Sequence, residues 1–287
     1  MPHATKNYHN RLVVIFDFDG TLAPDAVDQL LVMAGEDLNH YKQEERDPLL
    51  KSGWDSIIAE MYCLLKVAGR NKNFTLTRES LKEKALEIEL YAGVEEMFDQ
   101  VRAWVHAIVE DAEVEFYLLS CGLVDMYRHT PIAKEFKAMW GSEFYFDGEG
   151  KAAFVKQVIT NPEKIRYILQ LAKGMGVKGP SGPADVYRPI PEEEWHVPLD
   201  QVIYVGDGAS DMPAFSLMHE HGGIALGVVD ADKTEDWGGY EAEHKGRRVQ
   251  NLAKADYAED SELMKSLRLS VESIAKVMAL RKLSKGE

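Results

Sequence analysis

The sequence predicts an α/β protein: a doubly wound, mostly parallel sheet carrying an inserted α-helical unit. Three observations predict it. Short apolar runs recur, and each ends at once in Gly, Asp or Ser turn residues. Segments with apolar residues at three- and four-residue spacing separate those runs. Residues 24 to about 92 break the alternation, with helical spacing and no convincing strand.

The first strand is Leu12 to Phe16, followed directly by Asp17-Phe18-Asp19-Gly20-Thr21. The insert comes next. Asp25 to Ala34 reads as one helix. Trp54, Ile57, Ile58, Met61, Leu64 and Leu65 mark a second, stopped by Gly69. Thr77 is a candidate N-cap for a third that carries Leu81, Ala85, Ile88 and Leu90. An insert directly behind the first strand is expected to overhang that strand's carboxyl end and act as a lid. The expected division is therefore a core of residues 1–23 and 93–287 and a helical cap of residues 24–92.

After the insert, Val94, Met97, Phe98, Val101, Trp104 and Val105 share one helical face. The second strand, Val114 to Leu119, ends at Ser120-Cys121-Gly122. Glu143 to Phe146, the turn Asp147-Gly148-Glu149-Gly150 and Ala152 to Val158 resemble a hairpin. Pro162 opens a helix bearing Ile165, Ile168, Leu169 and Ala172, with Asn161 as its expected cap. Gly174 to Pro198 holds five prolines and reads as a long loop. The third strand, Gln201 to Val205, runs into Gly206-Asp207-Gly208-Ala209-Ser210-Asp211, and the fourth is Gly223 to Val229. A polar loop spans Asp230 to Arg248, and a last helix starts at Ser261 with Leu263, Leu267, Ile274 and Met278.

With 287 residues and 45% hydrophobic composition, the chain can bury a large core. Its net charge of −15 disfavours general binding to nucleic acid or anionic membrane. Two cysteines, Cys63 and Cys121, make no disulfide framework, which suits a reducing, cytoplasmic setting. Met1 to Asn10 is polar, without the apolar stretch of a signal peptide, and no run has the length of a membrane span. The nine histidines show no zinc-ligand spacing.

The chemistry concentrates at the strand ends, where open α/β sheets bind ligands. Asp17 and Asp19 can point the same way from an extended segment, and paired carboxylates suit a hard cation such as magnesium. One of them can also serve as a nucleophile toward phosphorus. Asp207 and Asp211 add two more acids, which repel unless a cation balances them. The Ser120 hydroxyl and the N–H groups of Cys121 and Gly122 can hold phosphate oxygens. A positive charge is needed for a transferring phosphoryl group. Lys164, opening the helix after Pro162, is the choice, with Lys151 and Lys156 as rivals.

In this order, Asp17-Phe18-Asp19-Gly20-Thr21, Ser120, Lys164 and Gly206-Asp207-Gly208-Ala209-Ser210-Asp211, the sequence resembles the haloacid dehalogenase superfamily on its phosphatase side. The match is to the phosphoserine phosphatase-like branch, which also has a helical cap after the first motif. The resemblance covers residues 11 to about 229 and implies a Rossmann-like core. It implies a Mg2+-dependent phosphomonoester hydrolase acting on a small phosphorylated metabolite through an aspartyl-phosphate. Asp17 is then the nucleophile and Asp19 the acid and base. Asp17, the main-chain carbonyl of Asp19 and Asp207 are the metal ligands, with Asp211 in support of the metal or of Lys164. Ser120, Lys164 and the backbone at Cys121 and Gly122 grip the phosphate, and Thr21 braces the loop. Two departures point away from phosphoserine itself. Ala26 stands where the phosphoserine enzymes carry an acid, with Asp25 one place early, and Ser210 replaces the usual Asn. Arg70 and Arg78 are candidates for an anionic substrate group. A phosphomutase shares every one of these catalytic residues. A non-catalytic interaction protein on the same fold is the remaining alternative, and a metal-independent dehalogenase conflicts with Asp19, Asp207 and Asp211.

Overall fold

Alternate side chains of the first strand, β1 (Arg11–Phe16), enter opposite halves of the core. Leu12, Val14 and Phe16 join one apolar cluster, whereas Val13 and Ile15 join another. A strand covered on both faces must be apolar, and from Leu12 to Phe16 this one is. The computed structural model describes residues 9–176, 182–229 and 249–285.

The chain then leaves the sheet for a run of helices: α1 (Ala26–Met33), α2 (Leu38–His40), a π-helical turn (Tyr41–Arg46), α3 (Asp47–Lys51), α4 (Ser56–Arg70) and α5 (Arg78–Ala85). Their starts are set by local chemistry. Asp25 accepts the Asp28 N–H, Asp55 accepts the N–H groups of Ile57 and Ile58, and Thr77 forms a reciprocal capping box with Ser80. Next come α6 (Val94–His106), β2 (Glu113–Leu123), α7 (Val124–Tyr127), β3 (Phe136–Phe146), β4 (Ala152–Gln157) and α8 (Glu163–Ala172). The chain closes with β5 (Val202–Gly206), α9 (Met212–His221), β6 (Ile224–Val229), β7 (Asn251–Lys254) and α10 (Glu262–Lys285).

Among the described residues, seven strands form one sheet in the order β4-β3-β2-β1-β5-β6-β7. Every pairing is parallel except β3 with β4. The chain order therefore reverses around β1, which lies between β2 and β5. That switch point opens a crevice at the carboxyl ends of the strands. On one face α6 and α10 pack over Phe16, Phe98, Leu263 and Met264; on the other α8 and α9 cover Ile15, Tyr204, Ile168 and Phe215. The β3–β4 hairpin reaches the inserted helices: Ala152 N–H donates to the Leu76 carbonyl at 2.8 Å, and Arg78 N–H to the Gly150 carbonyl at 3.1 Å.

Several boundaries differ from the sequence expectation. β2 runs on through Ser120 and Gly122 to Leu123, with a register irregularity in its pairing to β3 after Leu119. β3 begins at Phe136, ahead of the expected hairpin, because its first half pairs in parallel with β2. β7, a four-residue edge strand, was not expected. Gly69 does not stop α4, being exposed in its last turn, while Trp54 precedes that helix and packs on Tyr62 at 5.1 Å. α5 ends at Ala85, so Ile88 and Leu90 reach the core from the segment beyond it. Asn161 makes no side-chain cap; its Oδ1 accepts the Cys121 thiol at 3.5 Å. The 174–198 segment contains 3-10 turns at Pro183–Tyr187 and Glu192–Glu194. The expected loop 230–248 and part of that segment, 177–181, lie outside the described residues.

Candidate active site

The β2-β1-β5 order brings three turns together. Asp17 leaves β1 with its N–H donated to the Val205 carbonyl of β5 at 3.0 Å. Its carboxylate shares a cluster with those of Asp207 and Asp211, one oxygen from each lying within 4.8 Å of the others. Gly20, at φ +70°, lets the first turn fold tightly against this cluster. A β-carbon there would collide with the Asp207 carboxylate.

Lys164 enters from the first turn of α8 and is fully buried. Its ammonium donates to Asp17 Oδ2 at 2.8 Å and to Asp211 Oδ1 at 2.6 Å. Burial alone would lower its pKa, but the two carboxylates outweigh that and hold the ammonium charged. Asp211 is pushed upward by burial, with Lys164 opposing the shift. Its oxygens are also taken by the Tyr204 hydroxyl at 2.6 Å and the Asp207 N–H at 3.0 Å. Asp211 thus anchors both the lysine and the Asp207 loop. The rival lysines sit elsewhere. Lys156 pairs with Glu143, and Lys151 bridges to Thr77 at the hairpin turn.

The Asp19 side chain stands outside the carboxylate cluster. Ala26 N–H donates to its Oδ1 at 2.9 Å and the Tyr127 hydroxyl to its Oδ2 at 2.5 Å. Burial first, then the nearby Asp25 charge, raise its pKa well above the usual carboxylate range.

A cavity of about 180 Å³ opens over these groups, lined by Asp17, Asp19, Ser120, Cys121, Gly122 and Asp207. The inserted helices supply its other wall through Asp25, Ile57, Glu60 and Met61. Ser120 is buried and its Oγ accepts the Gly122 N–H at 3.0 Å. Burial pushes the Cys121 thiol up to about 12, which removes it as a thiolate nucleophile. Thr21 is buried beneath the loop, outside the cavity lining; its carbonyl accepts the Tyr257 hydroxyl, and its own Oγ1 has no partner among the described residues. Neither candidate arginine lines the cavity. Arg70 pairs with Glu45 and Glu36, and Arg78 lies over the Phe146 ring at 4.4 Å.

Three residues of the site escaped sequence reasoning. Tyr204 and Tyr127 act through partners brought near only by folding. Tyr204 did leave a signal, since a tyrosine inside an apolar strand needs a hydroxyl partner. Glu60, whose pKa burial and then Asp25 raise to about 7, stands among Ile57, Met61 and Leu64 on the apolar side of α4. An acid in that pattern was readable as facing a cavity.

No family model matches the chain. An uncharacterized protein of Borreliella burgdorferi is 24% identical over 299 aligned positions, covering 91% of this chain and 98% of that one. Among solved structures, a HAD-family hydrolase from Salmonella enterica serovar Typhi superposes with a TM-score of 0.58 at 12% identity, over 93% of this chain and 73% of its own. A probable phosphoserine phosphatase from Vibrio cholerae gives 0.55 at 14% identity, over 95% and 67%. A phosphoserine phosphatase in a phospho-aspartyl intermediate analogue gives 0.53 at 14% identity, over 92% and 99%. The chain has the haloacid dehalogenase fold, with phosphoserine phosphatases among its structural neighbours.

Proposed function

We propose that this chain hydrolyses a small phosphomonoester in two steps, with Asp17 as nucleophile. The observation that carries the reading is the buried Lys164 ammonium held between Asp17 and Asp211, beside Asp207, at the sheet's switch point. The structural neighbours named as phosphatases support the same chemistry.

The residues present fit a divalent cation. Three carboxylates face one ammonium, so with all three ionised two negative charges are left over. All the donors are oxygens, as magnesium prefers. Asp17, Asp207 and the main-chain carbonyl of Asp19 would hold Mg2+, with Asp211 supporting them through Lys164 and the Asp207 N–H. When bound, the ion would neutralise charge on the phosphoryl oxygens.

In the first step an Asp17 oxygen forms a bond to phosphorus while the bond to the leaving alcohol breaks. Asp19 gives its proton to that departing oxygen. In the second step Asp19 takes a proton from water, the water oxygen bonds to phosphorus, and the Asp17–phosphorus bond breaks, releasing inorganic phosphate. Ser120, the N–H groups at Cys121 and Gly122, and Lys164 hold the non-bridging oxygens. Thr21 braces the loop beneath them. Residues 24–92 serve as a cap over a core of 1–23 and 93–287, and the cap's contribution to the cavity wall selects the leaving group. A reducing compartment such as the cytoplasm suits the unpaired, buried Cys63 and Cys121. Among the described residues no helix is long and apolar enough to cross a membrane.

The test is a panel of phosphomonoesters assayed with Mg2+. We expect release of inorganic phosphate that stops in excess chelator and returns when magnesium is restored. Undiminished release in chelator, or none from any phosphomonoester with magnesium, would overturn the reading.

A further inference from the structure

We propose that Tyr127 is a positioning residue for the Asp19 carboxyl, an inference that rests on the phosphatase reading and goes beyond it. α7 follows β2 without a break and turns Tyr127 back over the first loop. There its ring stacks on Phe18, centroids 4.0 Å apart and planes 17° from parallel, with both residues fully buried. The hydroxyl reaches across 108 residues of sequence to Asp19 Oδ2. The Ala26 N–H takes the other oxygen. Two donors, one on each oxygen, fix the plane of the carboxyl group, and Asp19 remains part of the cavity wall.

Gly122 is part of the same arrangement. A β-carbon at that position would overlap both the Tyr127 hydroxyl and Asp19 Oδ2. The glycine leaves room for the pair. A buried tyrosine needs a hydroxyl partner on any account. A partner on the one carboxyl that delivers a proton does more, because small errors in the placement of a reacting group cost large factors in rate.

Tyr127→Phe keeps the ring and its stacking and removes the hydroxyl. The readout is kcat/KM on two esters, an alkyl phosphate and p-nitrophenyl phosphate. The alkyl leaving group needs Asp19's proton, whereas nitrophenolate departs readily without it. Tyr127→Phe is expected to lose about 10- to 100-fold on the alkyl ester and little on the nitrophenyl ester. Equal losses on both esters, or no loss on either, with a melting temperature showing the variant folded, would make Tyr127 a packing residue and overturn the inference alone. A wild-type protein that hydrolyses neither ester would overturn the phosphatase reading, and this inference with it.

Discussion

Lys164 is a fully buried cation whose two carboxylate partners, Asp17 and Asp211, are themselves almost wholly buried. Removing one member of such a group strands the others without compensation. Lys164→Met should therefore destabilise the metal-free protein by about 3–5 kcal/mol, besides abolishing turnover. Denaturant unfolding in chelator measures it, and a loss below about 1 kcal/mol would mean that the ammonium does not balance these charges. Residues of this kind differ in how far the sequence reveals them. Asp17, Asp19 and Gly20 stand in one short run, so their chemistry was readable without the fold. Lys164 was readable only through its order among the other motifs, since nothing around Asn161 and Pro162 marks it out. Tyr127 had no local sign at all, because what gives it meaning is a contact with Asp19.

The elements that frame the site are tied together at the opposite end of the sheet by Glu115, near the start of β2. It accepts Arg11 Nε of β1 at 2.8 Å, the Tyr117 hydroxyl at 2.6 Å and the Lys137 ammonium of β3, and lies 2.7 Å from His196 Nε2 in the segment before β5. Burial raises its pKa, but hydrogen bonds from His196, Lys137 and Tyr117 outweigh that and bring it from the ordinary 4.5 to about 2. The folded state thus favours the ionised form, and between these values the unfolded chain binds the proton first. The stability that Glu115 contributes is present above about pH 4.5 and is lost as the pH falls towards about 2. Glu115→Gln should flatten that part of the profile, read as denaturant midpoint against pH for both proteins. Parallel profiles would remove Glu115 from this role. Strand recognition followed the same division between local and non-local. β1 from Leu12 on, β5 and β6 are sheet-centre runs buried on both faces, hence apolar and legible. The first half of β3, with Lys137 and Ala138, and the short edge strand β7, ending in Lys254, lack that pattern and owe their existence to a neighbouring strand.

At the scale of the molecule, a sheet order that reverses around β1 places three sequence-distant turns in one crevice, and helices inserted after the first turn close part of it. Asp17, Asp207 and Lys164 converge because β1 has β2 on one side and β5 on the other. Which inserted residues line the cavity was not legible, since Glu60 and Asp25 reach it only once that segment folds back over the sheet. The central claim is that this crevice transfers a phosphoryl group to Asp17. Acid-quenched single turnovers of the magnesium-loaded protein, followed by peptide mass spectrometry, test it most directly. A transient phosphoryl group on Asp17 is expected, disappearing as inorganic phosphate accumulates. Phosphate release with no phosphoryl group ever on the chain, or one carried at a residue other than Asp17, would contradict it.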